Sequence, residues 1–131
     1  MAATFNFELV TPERLMFSGE ASQVVVPGAE GDFAVLAGHS PFISTLRPGI
    51  LDVTLPQGRQ QLLVKKGVAE ADPDHLTVLA QTAVPLEDLQ GERLASELRL
   101  AEAQLAEAKD DQSRMVAEAL IDVLKRMQVK S

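Results

Sequence analysis

The sequence predicts an all-β sandwich or barrel followed by an antiparallel helical hairpin. The position of the chain-breaking residues is the main observation, because all seven prolines and seven of the eight glycines precede Leu86. All five phenylalanines precede Ile43. Glycine and proline punctuate short strands, whereas the Ala, Leu, Glu, Gln, Lys and Arg of the later part favour long helices. We therefore expect a boundary near Val84–Leu86, which divides the chain into residues 1–86 and 87–131.

Short strands separated by turn signals fill residues 1–86. Phe5, Phe7 and Leu9 alternate with polar residues, as in a half-buried strand. Apolar runs predict further strands at 24–26, 32–36, 51–55, 61–64 and 76–80. The chain turns after them at Pro27-Gly28, Gly38, Pro56-Gln57-Gly58 and Asp72-Pro73-Asp74. Turn signals every ~8–12 residues favour a sandwich or barrel over βαβ units, but they do not give the strand order.

Two amphipathic helices are predicted in residues 87–131. Helical spacing places two apolar stripes on one face each: Leu94, Leu98, Ala101 and Leu105, then Val116, Leu120, Val123 and Met127. The polar segment 109–113 is short, which favours antiparallel packing.

Aspartates precede both predicted helices. Either Asp110 or Asp111 could cap the second helix, and Asp88 could cap the first. The first helix is rich in alanine, and alanine buries little apolar area. We therefore expect the hairpin to dock weakly on the β part.

Composition excludes several classes of protein. A net charge of −7 and few aromatics argue against nucleic-acid binding. No apolar run approaches the ~18 residues that a membrane-spanning helix needs. The absence of cysteine excludes disulfides and cysteine-based metal sites, and no signal-peptide pattern is evident at the N-terminus. We expect an intracellular protein.

No catalytic or metal-binding constellation is recognisable. His39 and His75 lack partners at metal-ligand spacing, so each is expected to be a surface or hydrogen-bonded turn histidine. Gly28-Ala29-Glu30-Gly31 lacks the Lys-Ser/Thr of a phosphate loop, and its carboxylates would repel phosphate, so we interpret it as a turn needing positive φ. The glutamates of the helices form a solvated face. We therefore expect a binding or structural protein without cofactor or metal, and not an enzyme.

The order of the turns is the most specific signal in the chain. In sequence they are Met16-Phe17-Ser18-Gly19, 28–33, Gly38-His39-Ser40-Pro41, Leu46-Arg47-Pro48-Gly49, Gly67-Val68-Ala69 and Val78-Leu79-Ala80. This series, followed by two helices, resembles the ε subunits of bacterial F-type ATP synthases over essentially the whole chain.

The resemblance implies a ten-stranded β-sandwich with a helical hairpin, at the foot of the rotating central stalk. Such a subunit is non-catalytic and couples ion-driven rotation of the c-ring to the γ subunit. It is peripheral to the inner membrane, on the cytoplasmic side. Glu30, Gly31 and Asp32 match a loop that faces the c-ring, and His39 matches a segment near γ. Two interpretations of the acidic pair stay open: contact with basic groups on c loops, or turn formation alone.

The family's hairpin either folds against the sandwich or extends into the α/β head and blocks ATP hydrolysis. Strongly inhibitory members carry basic residues along the second helix. Here Arg126 matches a usual basic position, but Ile121 and Asp122 replace a common basic pair. The other basic residues are Arg114, Lys125 and Lys130, mostly near the end. We therefore expect weak inhibition at most.

Some family members bind ATP through Ile/Leu-Asp-x-x-Arg-Ala at the start of the first helix. The corresponding residues 89–94 keep Arg93 but carry Gln90 in place of the aspartate and Leu94 in place of the alanine. Gly91 also weakens the helix by up to ~1 kcal/mol relative to alanine. We predict no ATP binding at physiological concentration. The alternative is a nucleotide-responsive regulatory subunit whose hairpin position is set by ATP.

Overall fold

The computed structural model describes residues 3–130, with side chains up to Gln128. Within them, ten strands come first: β1 Phe5–Val10, β2 Leu15–Ala21, β3 Gln23–Gly28, β4 Gly31–Leu36, β5 Phe42–Thr45, β6 Gly49–Leu55, β7 Gly58–Val64, β8 Gly67–Asp72, β9 His75–Ala80 and β10 Ala83–Pro85. A 3₁₀ turn, Leu86–Asp88, leads to helices α1 Gly91–Glu107 and α2 Asp111–Lys130. The predicted fold class is confirmed, and so are the ten strands that the resemblance implies.

The strands form two five-stranded sheets. Sheet 1 has the order β2-β1-β9-β8-β5, and sheet 2 has the order β10-β7-β6-β3-β4. Neighbouring strands are antiparallel except β1 and β9, which pair in parallel. This pair joins the two ends of the sandwich sequence, a long-range contact that turn signals cannot predict.

The space between the sheets is the main hydrophobic core. Phe5, Phe7 and Leu9 of β1 are buried while Asn6 and Glu8 are exposed, so the predicted alternation is confirmed. Their partners come from both sheets: Val24, Val26, Val35, Leu51, Val53, Leu62, Val64, Leu76 and Val78. Close-packed cores of this kind resist deformation.

The predicted limits of two strands are wrong: β7 begins at Gly58, which we expected in a turn, and β3 extends past its expected end. We expected β3 to stop at Pro27, but it runs to Gly28, and Pro27 pairs with Asp32 of β4. Proline lacks the N–H that a ladder needs, yet a strand tolerates it where that position does not donate. The turns at 56–57 and 73–74 lie where the sequence predicts them.

The two helices form the predicted hairpin, with one of the expected caps. The backbone N–H of Ser113 donates to Asp110 Oδ1 at 2.7 Å, so Asp110 caps α2. This bond lowers the pKa of the Asp110 carboxyl. The expected cap at Asp88 is wrong, because Asp88 lies in the 3₁₀ turn and Gln90 precedes α1 without a side-chain cap bond.

The hairpin packs on the outer face of sheet 2 and forms a second hydrophobic core. The buried members are Leu63 and Val84 of the sandwich, then Leu89, Leu94, Ala101, Leu120, Val123 and Leu124. Leucine and valine thus supply most of the docked surface. Of the alanines in α1, Ala101 is fully buried, whereas Ala103 and Ala106 are exposed. The alanine content of α1 is therefore no reason to expect weak docking.

The predicted face of α2 is partly wrong. Val116 is 46% exposed, whereas Ala117, one residue later, is buried with Leu120 and Leu124. The buried stripe follows α2 at the same helical spacing but is rotated by one residue at its start. Among residues 3–130, no helix combines the length and apolar character needed to cross a membrane.

Candidate interaction surfaces

The β3–β4 turn presents the acidic residues. Gly28 and Gly31 pair directly, leaving Ala29 and Glu30 as the two turn residues. Gly31 has φ +139°, which confirms the expected positive φ at this position. The turn is fixed to the end of β5, because the backbone N–H of Ala29 donates to the Thr45 carbonyl at 2.9 Å.

Arg47 stabilises this turn through two hydrogen bonds. Its guanidinium donates to the Gly28 carbonyl and to Asp32 Oδ1, both at 2.6 Å. Asp32 is therefore ion-paired within the chain, whereas Glu30 is exposed and forms no ion pair with the described residues. Sequence reasoning missed Arg47 as a partner, although Arg47-Pro48 belongs to the turn series. The turn offers one free carboxylate and one that is partly neutralised.

His39 lies half-buried at one end of sheet 1. Its Nδ1 is 2.5 Å from the Leu36 carbonyl, and its Nε2 is 3.4 Å from the His75 carbonyl. The ring meets Phe5 edge-on with centroids 5.5 Å apart. The expectation of a hydrogen-bonded turn histidine is confirmed, and the fold brings the two histidine segments together.

His75 contacts the carboxylate of Asp72. Its Nδ1 is 3.2 Å from Asp72 Oδ1, and the backbone N–H of Asp74 also donates to that oxygen. The Asp74 N–H, and then His75, lower the pKa of the Asp72 carboxyl. Within residues 3–130, no group of three or more His, Asp or Glu side chains is arranged to hold a metal.

The outer face of sheet 1 carries exposed apolar residues that sequence reasoning missed. Val68, Leu79, Val10 and Leu15 are cross-strand partners on β8, β9, β1 and β2, and we call them the apolar row. Leu79 and Leu15 are 43% and 54% exposed, and Ile43 of nearby β5 is 75% exposed. Exposed apolar residues gathered on one face mark interaction surfaces. Leu15, Ile43 and Val68 were missed because their strands, β2, β5 and β8, alternate weakly and were not predicted from periodicity.

The residues of the altered ATP motif lie at the start of α1. Gln90 is exposed, and Gly91 adopts a positive φ of +54°. Arg93 Nε is 3.4 Å from Glu97 Oε2, so the guanidinium already faces a carboxylate. A phosphate at this place would have to compete with Glu97 for Arg93.

The basic residues of α2 are largely paired within the helix. Arg114 lies 3.0 Å from Asp111, and Arg126 lies 3.3 Å from Asp122. Lys125 is exposed. The side chain of Lys130 lies outside the described residues. The tail thus presents less net positive charge than its arginines suggest.

Comparison with known proteins gives one family for almost the whole chain, and it is the family that the sequence resembles. A family model described as "ATP synthase, Delta/Epsilon chain, beta-sandwich domain" matches residues 4–86. The ATP synthase epsilon chain of Parvibaculum lavamentivorans is 48% identical over 128 residues, 97% of each chain. That of Bradyrhizobium sp. (strain ORS 278) is 49% identical over 118 residues, 90% of this chain and 87% of the relative.

Solved structures share the fold. A chain of the Euglena gracilis mitochondrial ATP synthase, in a structure of OSCP/F1/c-ring, matches with a TM-score of 0.75 at 25% identity, covering 99% of this chain and 82% of that one. A chain from the Tetrahymena thermophila central stalk and c-ring matches with a TM-score of 0.70 at 9% identity, covering 95% and 96%, and this likeness concerns the fold alone. With the matched sandwich, the docked hairpin and relatives near half identity along almost their full length, the chain belongs to the family of ATP synthase epsilon chains.

Proposed function

We propose that this epsilon chain is a rotor subunit of the central stalk that links the γ subunit to the c-ring. It couples ion-driven rotation to ATP synthesis, peripheral to the inner membrane on the cytoplasmic side. The chain is a non-catalytic subunit of the complex. The observation that carries the proposal is a sandwich with a fully buried core and two separate exposed surfaces, the acidic turn and the apolar row.

The acidic turn is the proposed c-ring contact. Glu30 is exposed and forms no ion pair with the residues that the structure describes, and Arg47 fixes the backbone that carries it. A free carboxylate on a fixed turn suits basic groups on the polar loops of c subunits, where it orients the contact more than it strengthens it. Asp32 contributes less, because Arg47 neutralises part of its charge.

The outer face of sheet 1 is the proposed γ contact. His39 lies beside Phe42 at the edge of the core between the sheets, and the next residue, Ile43, points to the opposite, outer face and is exposed. The apolar row continues this surface across the sheet. The hairpin covers the opposite sheet, so a partner can reach this face while the hairpin stays docked.

We propose that residues 1–86 transmit torque and that residues 87–131 act, at most, as a weak inhibitor of ATP hydrolysis in the α/β head. Close packing between the sheets supports the first role. The internal pairing of Arg114 and Arg126 supports weak inhibition, since fewer free cations remain for acidic groups of the head.

ATP-controlled movement of the hairpin is the alternative. The side chains at the start of α1 argue against it. Glu97 faces Arg93, and Gln90 replaces the acidic residue of the motif. We expect calorimetry to detect no ATP binding tighter than millimolar. Binding tighter than that would favour the regulatory alternative.

Reconstitution tests the proposal. An ATP synthase depleted of its epsilon chain would receive either the full chain or a chain truncated after Pro85. We expect both to restore ion-driven ATP synthesis, with ATP hydrolysis raised no more than slightly by truncation. Failure of the full chain to restore synthesis would contradict the rotor role. A large rise in hydrolysis would contradict weak inhibition. Amide exchange in the core between the sheets, the first core, checks that the truncated chain is folded.

A further inference from the structure

One ion pair joins the sandwich to the hairpin. Lys65, which directly follows β7, places Nζ 2.5 Å from Glu97 Oε1 on α1. The two side chains are 19% and 11% exposed, whereas every other ion pair of the helices among the described residues has a partner that is more than half exposed. Among the described residues, every other ion pair lies within the sandwich or within the hairpin.

Glu97 occupies a position that the apolar stripe of α1 would otherwise fill. It lies three residues after Leu94 and four before Ala101, and both of these are buried against sheet 2. A carboxylate is costly at such a position unless a cation compensates it. Lys65 supplies that charge from the sandwich, and Arg93 stands 3.4 Å from the second oxygen.

The hairpin and the sandwich have separate hydrophobic cores. Leu62 belongs to the core between the sheets, whereas its neighbour Leu63 points into the core under the helices. Undocking the hairpin would expose the second core and leave the first intact. It would also hydrate Lys65 and Glu97, which recovers part of the cost.

We propose that the Lys65–Glu97 pair is an electrostatic latch, in the sense that the two charges compensate each other between sandwich and hairpin in the docked state, so that loss of either charge alone favours release of the hairpin from the sandwich. The inference rests on the contacts of the isolated chain and does not depend on the proposed rotor function. Removing Glu97 leaves Lys65 uncompensated in the docked state, and removing Lys65 leaves Glu97 with only the more exposed Arg93, whereas replacing both with apolar side chains leaves neither charge there.

Native-state hydrogen exchange of the full chain tests the latch. Glu97→Gln and Lys65→Met should each speed exchange of the amides of buried helix residues, such as Ala101 and Leu120, by at least about tenfold. Amides of the first core, such as that of Val78, should change by no more than about twofold. The double variant Lys65→Met with Glu97→Met should return the helix amides to within about threefold of the natural chain.

Glu92→Gln is the matched control. It removes a carboxylate from the same helix, but Glu92 is exposed and pairs with Arg99 inside α1, so little change is expected. The latch is wrong if the two single variants change helix exchange no more than this control. It is equally wrong if the double variant opens as far as the two single effects combined, or if the first core loses protection along with the helices.

Discussion

Glu30 and Asp32 lie in the same turn but differ in chemistry. The guanidinium of Arg47 binds Asp32 and the Gly28 carbonyl, whereas Glu30 has no ion-pair partner in the described part of the chain. The two interpretations of the acidic pair therefore divide between the residues. Asp32 helps to form the turn, and Glu30 is the better candidate for a partner's cation. The sequence separates Arg47 from Asp32 by 15 positions, so only the fold reveals the pair.

Asp110 supplies the best-defined local prediction. The Ser113 N–H lowers the pKa of the Asp110 carboxyl, so the cap operates above the ordinary carboxylate pKa and is lost as pH falls through the lowered value. We expect NMR titration to give a midpoint below the usual value of about 3.9. Asp110→Ala should speed exchange of the Ser113 amide roughly fivefold at neutral pH, as expected for loss of an N-cap. The neighbouring Asp111→Ala serves as control, and a midpoint at or above the usual value would contradict the cap.

The histidines show where residue patterns stop being informative. His39 and His75 are 36 positions apart, yet the ring of one approaches the carbonyl of the other. The turn at Gly38 predicts a hydrogen-bonded His39. The imidazole Nδ1 does approach a carbonyl three residues earlier, that of Leu36. Its approach to β9 follows from sheet order, which local signals do not contain.

Strands with clear alternation were predictable, and strands defined by their neighbours were not. β1, β6 and β9 bury every second residue, so their pattern alone identifies them. β2 contains Ser18-Gly19-Glu20, and β10 has only three residues. Such segments become strands because a neighbour offers a ladder of backbone hydrogen bonds. Strand propensity is accordingly more context-dependent than helix propensity.

The start of α2 shows a similar effect of tertiary context. Periodicity favoured Val116 as the first buried residue, yet the smaller Ala117 is buried instead. Both residues lie near one face, and the choice between them depends on how α2 lies against α1 and sheet 2. The later positions Leu120 and Val123 were predicted correctly, because they are central to either stripe.

These positions give a stability test of the second core. Leu124 is fully buried, so Leu124→Ala should destabilise the docked hairpin by about 3 kcal/mol. Val116→Ala, which removes two methyl groups from an exposed side chain, should change stability by less than about 0.5 kcal/mol. Amide exchange of the helices measures both effects. Equal effects would mean that the docked face of α2 is different from the one described.

On the whole molecule, the docked hairpin and the exposed surfaces lie on different faces of the sandwich. The hairpin covers the outer face of sheet 2, and the outer face of sheet 1 keeps its apolar row exposed. The acidic turn lies at one end of sheet 2, opposite the β6–β7 turn. A rigid body with two such surfaces suits a subunit held between two partners that must turn together.

Site-directed crosslinking in the assembled complex tests this arrangement most directly. The chain has no cysteine, so Glu30→Cys, Ile43→Cys and Gln57→Cys each introduce a single thiol. We expect Glu30→Cys to crosslink to a c subunit and Ile43→Cys to γ, while Gln57→Cys, in the β6–β7 turn, crosslinks to neither. Capture of the same subunit by the first two variants, or of neither subunit by both, would contradict the account.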